Sequence, residues 1–178
     1  MIDAPRKSNR LQGYDYSQNG YYFVTLCVKH RIEAFGNISK DVVLLSNEGK
    51  IVKKQMNWLS IHFPYIHLDE YIIMPNHVHA IIVINNSIIC GRDNPRIVPT
   101  NTVINTKKYN RKFNLLSKVI NALKTTSSIL IHQSGYNAFK WQRSFYDHII
   151  RNEKSYLTIK QYIRNNPQNW SQDPENKV

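Results

Sequence analysis

The stretch YIIMPNHVHAIIVI, Tyr71 to Ile84, decides how the chain is read. Pro75 and Asn76 divide this most apolar segment into two runs rich in isoleucine and valine. That is the pattern of two strands joined by a tight turn. His77 and His79 interrupt the second run where core residues are expected. On a strand, residues i and i+2 point the same way, about 7 Å apart. The two imidazoles therefore share one face, while Val78 anchors the other, and together they can chelate one divalent ion. A bare His-x-His pair also recurs by chance, as partly exposed strand histidines with no metal. A structural zinc site needs four ligands, usually with cysteine, and neither Cys27 nor Cys90 is placed in sequence to complete one. Two histidines with further oxygen ligands suit Mg2+ or Mn2+ better.

Upstream, GYYFVTLCVK (Gly20 to Lys29) follows a turn-like SQNG and is rich in aromatic and β-branched residues, which predicts a strand. Leu45 to Phe63 places Ile51, Val52, Met56, Leu59 and Phe63 at helical spacing, with Ser46 as N-cap and Pro64 as the stop. Gly49 stands where a full capping box would have Glu. Downstream, composition shifts at Asn85 to prolines, Asn and Thr without periodicity, which predicts a flexible, basic loop over about 85–112. A helix follows over Phe113 to Gln133, with Leu115, Leu116, Val119, Leu123, Ile129 and Leu130 on a stripe. Phe139 to Asn152 reads as a short strand with a turn, and Glu153 to Asn165 as a last helix ended by Pro167. The order strand, helix, strand, strand, helix, strand, helix predicts one α+β domain spanning 1–178. Its antiparallel sheet would carry helices packed on one face, related to the ferredoxin-like arrangement.

The chain has 178 residues and a formal net charge of +12, with a pI near 9.7. Its 42% hydrophobic and 20% charged residues are ordinary for a globular protein. The excess of Lys and Arg is not, and it points to a polyanionic partner. No window approaches 18 uncharged apolar residues, which excludes a membrane span. The N-terminus lacks the apolar core of a secretory signal, and two cysteines without CxxC spacing fit a reduced, cytoplasmic protein.

On the last predicted helix, Tyr156, Ile159 and Ile163 make an apolar stripe, while Thr158, Tyr162 and Asn166 form a neighbouring ridge. Tyr162 and Asn166 lie one turn apart and can reach one point in space. An amide oxygen ligates a hard cation, and a phenol becomes a nucleophile when a cation or base offsets its pKa near 10. Read alone, Tyr162 is a ring packed at a helix edge, and Asn166 a C-terminal cap before Pro167.

Taken together, these pieces resemble the HUH single-tyrosine transposases, and within them the REP-associated tyrosine transposases. The resemblance covers most of the chain. RLQGYDYSQNGYYFVTLCVKHRIEAFG is similar to the family's N-terminal strand region, and VLLSNEGKIV to the start of its first helix. MPNHVH matches the metal-binding motif. WQRSFYDHIIRNEKSYLTIKQYIRNNPQNW is similar to the C-terminal part, with the YIxxNP element that holds the nucleophile. The resemblance implies an RRM-like HUH domain in which His77, His79 and Asn166 are ligands of a divalent metal, Mg2+ or Mn2+, and Tyr162 is the nucleophile. Tyr156 is the nearest competitor, but it points elsewhere on the helix and lacks the partner Asn166. The implied activity is cleavage and rejoining of hairpin-bearing single-stranded DNA through a 5′-phosphotyrosine intermediate, as in transposition of a mobile element. Monomer and homodimer both fit, and neither needs a membrane. Arg6, Lys7, Arg10, Lys107, Lys108, Arg111 and Lys112 would contact phosphates, and Tyr14, Tyr16 or Trp141 would stack on unpaired bases. The rival from another class is a non-catalytic nucleic-acid-binding module with an RRM-like sheet. Binding alone would not require both motifs.

Overall fold

A computed structural model of the chain describes residues 14–85 and 115–176. The expected loop beyond Asn85 lies outside the described residues, as do the seven basic residues named above as phosphate contacts. Gly20–Cys27 (β1) is followed by a short hairpin, Gly36–Ser39 (β2) and Val42–Leu45 (β3), and then by helix α1, Asn47–His62. Ile66–Ile73 (β4) and His77–Ile84 (β5) come next, then helix α2 (Leu115–Gln133), Tyr146–Ile150 (β6) and helix α3 (Glu153–Asn165). The main sheet is antiparallel throughout, in the order β4-β5-β1-β6. Setting the small hairpin and α3 aside, this is the βαββαβ ferredoxin-like plan, and the α+β class stands as expected.

Alternation assigns the two faces of the sheet. Tyr22, Val24 and Leu26 of β1 and Val78, Ala80, Ile82 and Ile84 of β5 pack with Val52, Met56 and Leu59 of α1 and Leu116, Val119, Ile120 and Leu123 of α2. The intervening positions Phe23 and Ile81 join Ile150 and Ile163 in a smaller cluster, with Ile72, Tyr156 and Ile159 against it. Helices α1 and α2 thus share one face, as expected of the class, and α3 covers part of the other. A bulge between Leu68 and Glu70 breaks the β4 register. The bulged residue, Asp69, accepts a hydrogen bond from Tyr156 Oη (2.9 Å) and pairs with Lys160 Nζ (3.2 Å), which ties α3 to that edge.

Local chemistry explains most boundaries. Ser46 Oγ accepts from the Gly49 amide at 3.1 Å, so Ser46 is the N-cap of α1 as predicted. A Cβ on Gly49 would meet the Phe35 carbonyl oxygen at 2.2 Å. That close approach keeps Glu out of the capping-box position. On α2 the buried stripe continues through Ser127 and Ile131, whereas Ile129 and Leu130 are exposed. The predicted stripe therefore errs at its C-terminal end. Sequence reading also missed the β2–β3 hairpin. Its turn, Lys40–Asp41, has φ values of 49° and 61°, as a two-residue type I′ turn requires, but no Asn-Gly or Asp-Gly advertises it.

Candidate metal and nucleophile site

β5 places His77 and His79 on the face that α3 partly covers. Both are buried, at 0% and 2% exposure, which corrects the reading of partly exposed strand histidines. Their ring centroids lie 4.3 Å apart. His77 Nδ1 is 2.8 Å from Asn76 Oδ1. The Asn76 amide nitrogen donates to the backbone carbonyls of Arg31 and Glu175, so its oxygen is the acceptor for His77. That fixes the proton on His77 Nδ1 and leaves Nε2 as a lone pair. His79 Nδ1 is 2.9 Å from Thr25 Oγ1. The tight turn MPN thus orients the first imidazole, and the neighbouring strand β1 orients the second.

α3 brings the other two expected residues to the same place. Tyr162 Oη lies 3.2 Å from His79 Nε2 and 3.3 Å from Asp173 Oδ2. Asn166 is 1% exposed and donates from Nδ2 to Asp173 Oδ2 at 2.5 Å. It is also the C-cap of α3, so the capping position and the inward side chain coexist. Tyr156, the competitor, bonds Asp69 and Lys160 and takes no part in this cluster.

Asp173 was not singled out from the sequence. It sits between two 3₁₀ turns, Trp170–Gln172 and Pro174–Asn176, where no periodicity marks it. The bonds of this segment to the rest of the fold hold it there. Trp170 lies against His77 at 5.9 Å between ring centroids. Glu175 pairs with Arg31, and its carbonyl accepts from Asn76 at 2.9 Å. One ligand atom from each of His77, His79 and Asp173 falls within 4.8 Å of the others.

The donor set fits a cation. His77 Nε2 and Asn166 Oδ1 are buried without a hydrogen-bond partner among the described residues. Tyr162 has one proton to offer both His79 Nε2 and Asp173 Oδ2. Lone pairs converge in excess of protons, an arrangement that is expensive to bury unless a cation satisfies it. The protonation states agree. Burial, and then the adjacent imidazole, push His77 down to about 3 against the opposing Asp173 carboxylate. Burial also lowers His79. Burial alone would raise Asp173, but His79 and the Asn166 amide outweigh it and hold the carboxyl below its usual range. Burial, followed by the charge of Asp173, pushes the Tyr162 phenol up to about 12.

The aromatic assignments change. Tyr16 and Trp141 are buried in the main core, and Tyr14 packs edge-on against Tyr16 with centroids 5.0 Å apart. Among the described residues, the exposed tyrosine rings are Tyr21, Tyr146 and Tyr162.

This architecture is the fold of the REP-associated tyrosine transposases. A solved structure described as that transposase bound to a REP hairpin is 19% identical, with a TM-score of 0.56 over 96% of this chain and 74% of that one. The chain itself belongs to one family with a protein of Haemophilus influenzae (strain Rd) that is described as uncharacterized. The two are 35% identical over 168 residues, 94% of this chain and 91% of that protein. No family model matches the chain.

Proposed function

We propose that the protein is a metal-dependent transposase that cleaves and rejoins single-stranded DNA at hairpin elements, with Tyr162 as nucleophile. The observation that carries this reading is the convergence of the Tyr162 hydroxyl, two inward Nε2 atoms and two buried oxygen acceptors from separate elements. His77 Nε2, His79 Nε2 and Asn166 Oδ1 would hold Mg2+ or Mn2+, which supplies positive charge at the scissile phosphate and lowers the barrier to phenolate formation. In our scheme the Tyr162 oxygen attacks phosphorus in line, a Tyr–O–P bond forms and the P–O3′ bond breaks. The products are a 5′-phosphotyrosine and a DNA 3′-oxygen that takes up a proton. Asp173 Oδ2, already 3.3 Å from the phenol, is the acceptor for the tyrosine proton. Attack by a 3′-hydroxyl on the phosphotyrosine reverses the step and rejoins DNA without a nucleotide cofactor.

The test mixes the protein with hairpin-bearing single-stranded DNA and Mn2+ or Mg2+ and looks for an SDS-stable protein–DNA adduct. The adduct should disappear in Tyr162→Phe and in His77→Ala. An adduct that survives Tyr162→Phe rules out the nucleophile, and one that survives His77→Ala rules out the metal site. Metal-independent binding with no adduct from the wild-type protein supports the RRM-like binding module instead.

A further inference from the structure

Among the described residues, helix α3 covers part of the site face of the sheet. Cross-strand register lays it out in rows: Ile72, His79, Thr25 and Tyr146 form one, and Ile81, Phe23 and His148 the next. Helix α3 rests on the β4 and β5 end of these rows. At the other end, Tyr146 is 51% exposed, and His148 is exposed as well. The ring of Tyr146 stands edge-on to Phe23 with centroids 6.5 Å apart, and Phe23 in turn meets Tyr162 at 6.2 Å. Tyr146 is thus two strands from His79 along one row, on the same face as the candidate nucleophile. One row further along β6, where Tyr21 pairs with Ile150, a shallow cavity of about 350 Å3 lies between Tyr21, Arg151 and Tyr156. Its wall includes the face-to-edge pair Tyr21 and Tyr156, with centroids 5.5 Å apart.

An outward sheet face is normally polar. Here two exposed aromatic rings at i and i+2 of β6 stand about 7 Å apart. Among the described residues adjoining this strand in sequence, Arg143, Arg151 and Lys154 face solvent against Glu153. Rings on a flat sheet with flanking cations match unpaired bases on a polyanionic backbone.

We propose that Tyr146 and His148 form a stacking platform for unpaired bases of the DNA strand running into the candidate site, with Arg151 at its far end contacting phosphate. The platform rests on the proposed function for its ligand being DNA. It does not depend on cleavage.

The experiment measures binding by fluorescence anisotropy in the Tyr162→Phe background, which removes cleavage. Three DNAs are compared: a hairpin, the same hairpin with single-stranded tails, and the hairpin with tails of abasic sugars. The base-bearing tails should strengthen binding and the abasic tails should not. Adding Tyr146→Ala should weaken binding of the tailed hairpin about tenfold, while Tyr146→Phe retains it and neither alters the bare hairpin. His148→Ala should lose affinity in the same direction. The proposal is overturned if Tyr146→Ala binds the tailed DNA as well as its parent. An equal loss on abasic tails overturns it too, since that loss would be structural and not base stacking. If the wild-type protein forms no covalent adduct but these differences hold, the nucleophile assignment fails and the platform stands. If the adduct forms and tail discrimination is absent, the platform alone fails.

Discussion

At the scale of single residues, the two histidines show how much alternation can reveal. The shared face of His77 and His79 was legible from the spacing, since period two leaves no other choice. Their burial was not legible, because it depends on α3 and the C-terminal turns closing over that face. Asp173 was illegible for the same reason: it is brought in by tertiary contacts, 11 positions beyond Tyr162, with no repeating pattern to point at it. The neutral imidazoles make a testable contribution. A histidine whose folded pKa is lowered binds fewer protons in the fold than in the unfolded chain. Its stabilisation is therefore complete above about 6.5 and is lost as pH falls toward about 3, the position of His77. With EDTA present, the thermal midpoint should drop steadily across that window. A midpoint that stays flat between those limits would contradict buried neutral imidazoles. Thr25 offers a second check, because its hydroxyl meets His79 Nδ1 at 2.9 Å. Thr25→Val preserves shape and removes that partner. It should weaken Mn2+ binding, read by calorimetry, about tenfold.

At the scale of elements, the helices with caps and stops were legible in their bounds, whereas the unmarked β2–β3 hairpin was missed. α1 and α3 begin at Ser46 and Asn152, whose side chains accept from Gly49 and Ser155 amides, and α3 ends just before Pro167. The β2–β3 hairpin has no such marker, since Lys40 and Asp41 adopt positive φ without the residues that usually signal it. Gly49 carries a prediction whose sign depends on tertiary packing. In an exposed helix, Gly→Ala stabilises by about 0.5–1 kcal/mol. Here the new methyl would collide with the Phe35 carbonyl, which also accepts the Ser46 amide at 2.9 Å. Gly49→Ala should instead destabilise by about 1–3 kcal/mol, seen as a lower urea midpoint. A midpoint that rises would mean the loop at Phe35 yields freely.

At the scale of the whole molecule, sequence shows that a helix is amphipathic but not which side of a sheet it covers. The stripe Tyr156, Ile159 and Ile163 fits either face, and only the topology sends it to the face opposite α1 and α2. That choice creates the site, because it sets Tyr162 and Asn166 over the histidines. It also gives the net charge of +12 a direction that composition cannot supply. Lysines on α1, such as Lys54, are exposed on the far side of the sheet, whereas Arg151 flanks the site face. For single-stranded DNA, each phosphate neutralised adds about 0.7 to the slope of log K against log salt. If DNA lies on the site face, Arg151→Ala should lower that slope by about 0.7 and weaken binding at low salt. Lys54→Ala should leave the slope unchanged, although it removes the same formal charge. Titrations of a tailed hairpin at several salt concentrations separate the two cases. Equal changes in both variants would mean that the charge acts only as a diffuse field over the molecule, and a change in Lys54→Ala alone would place the DNA on the helical face.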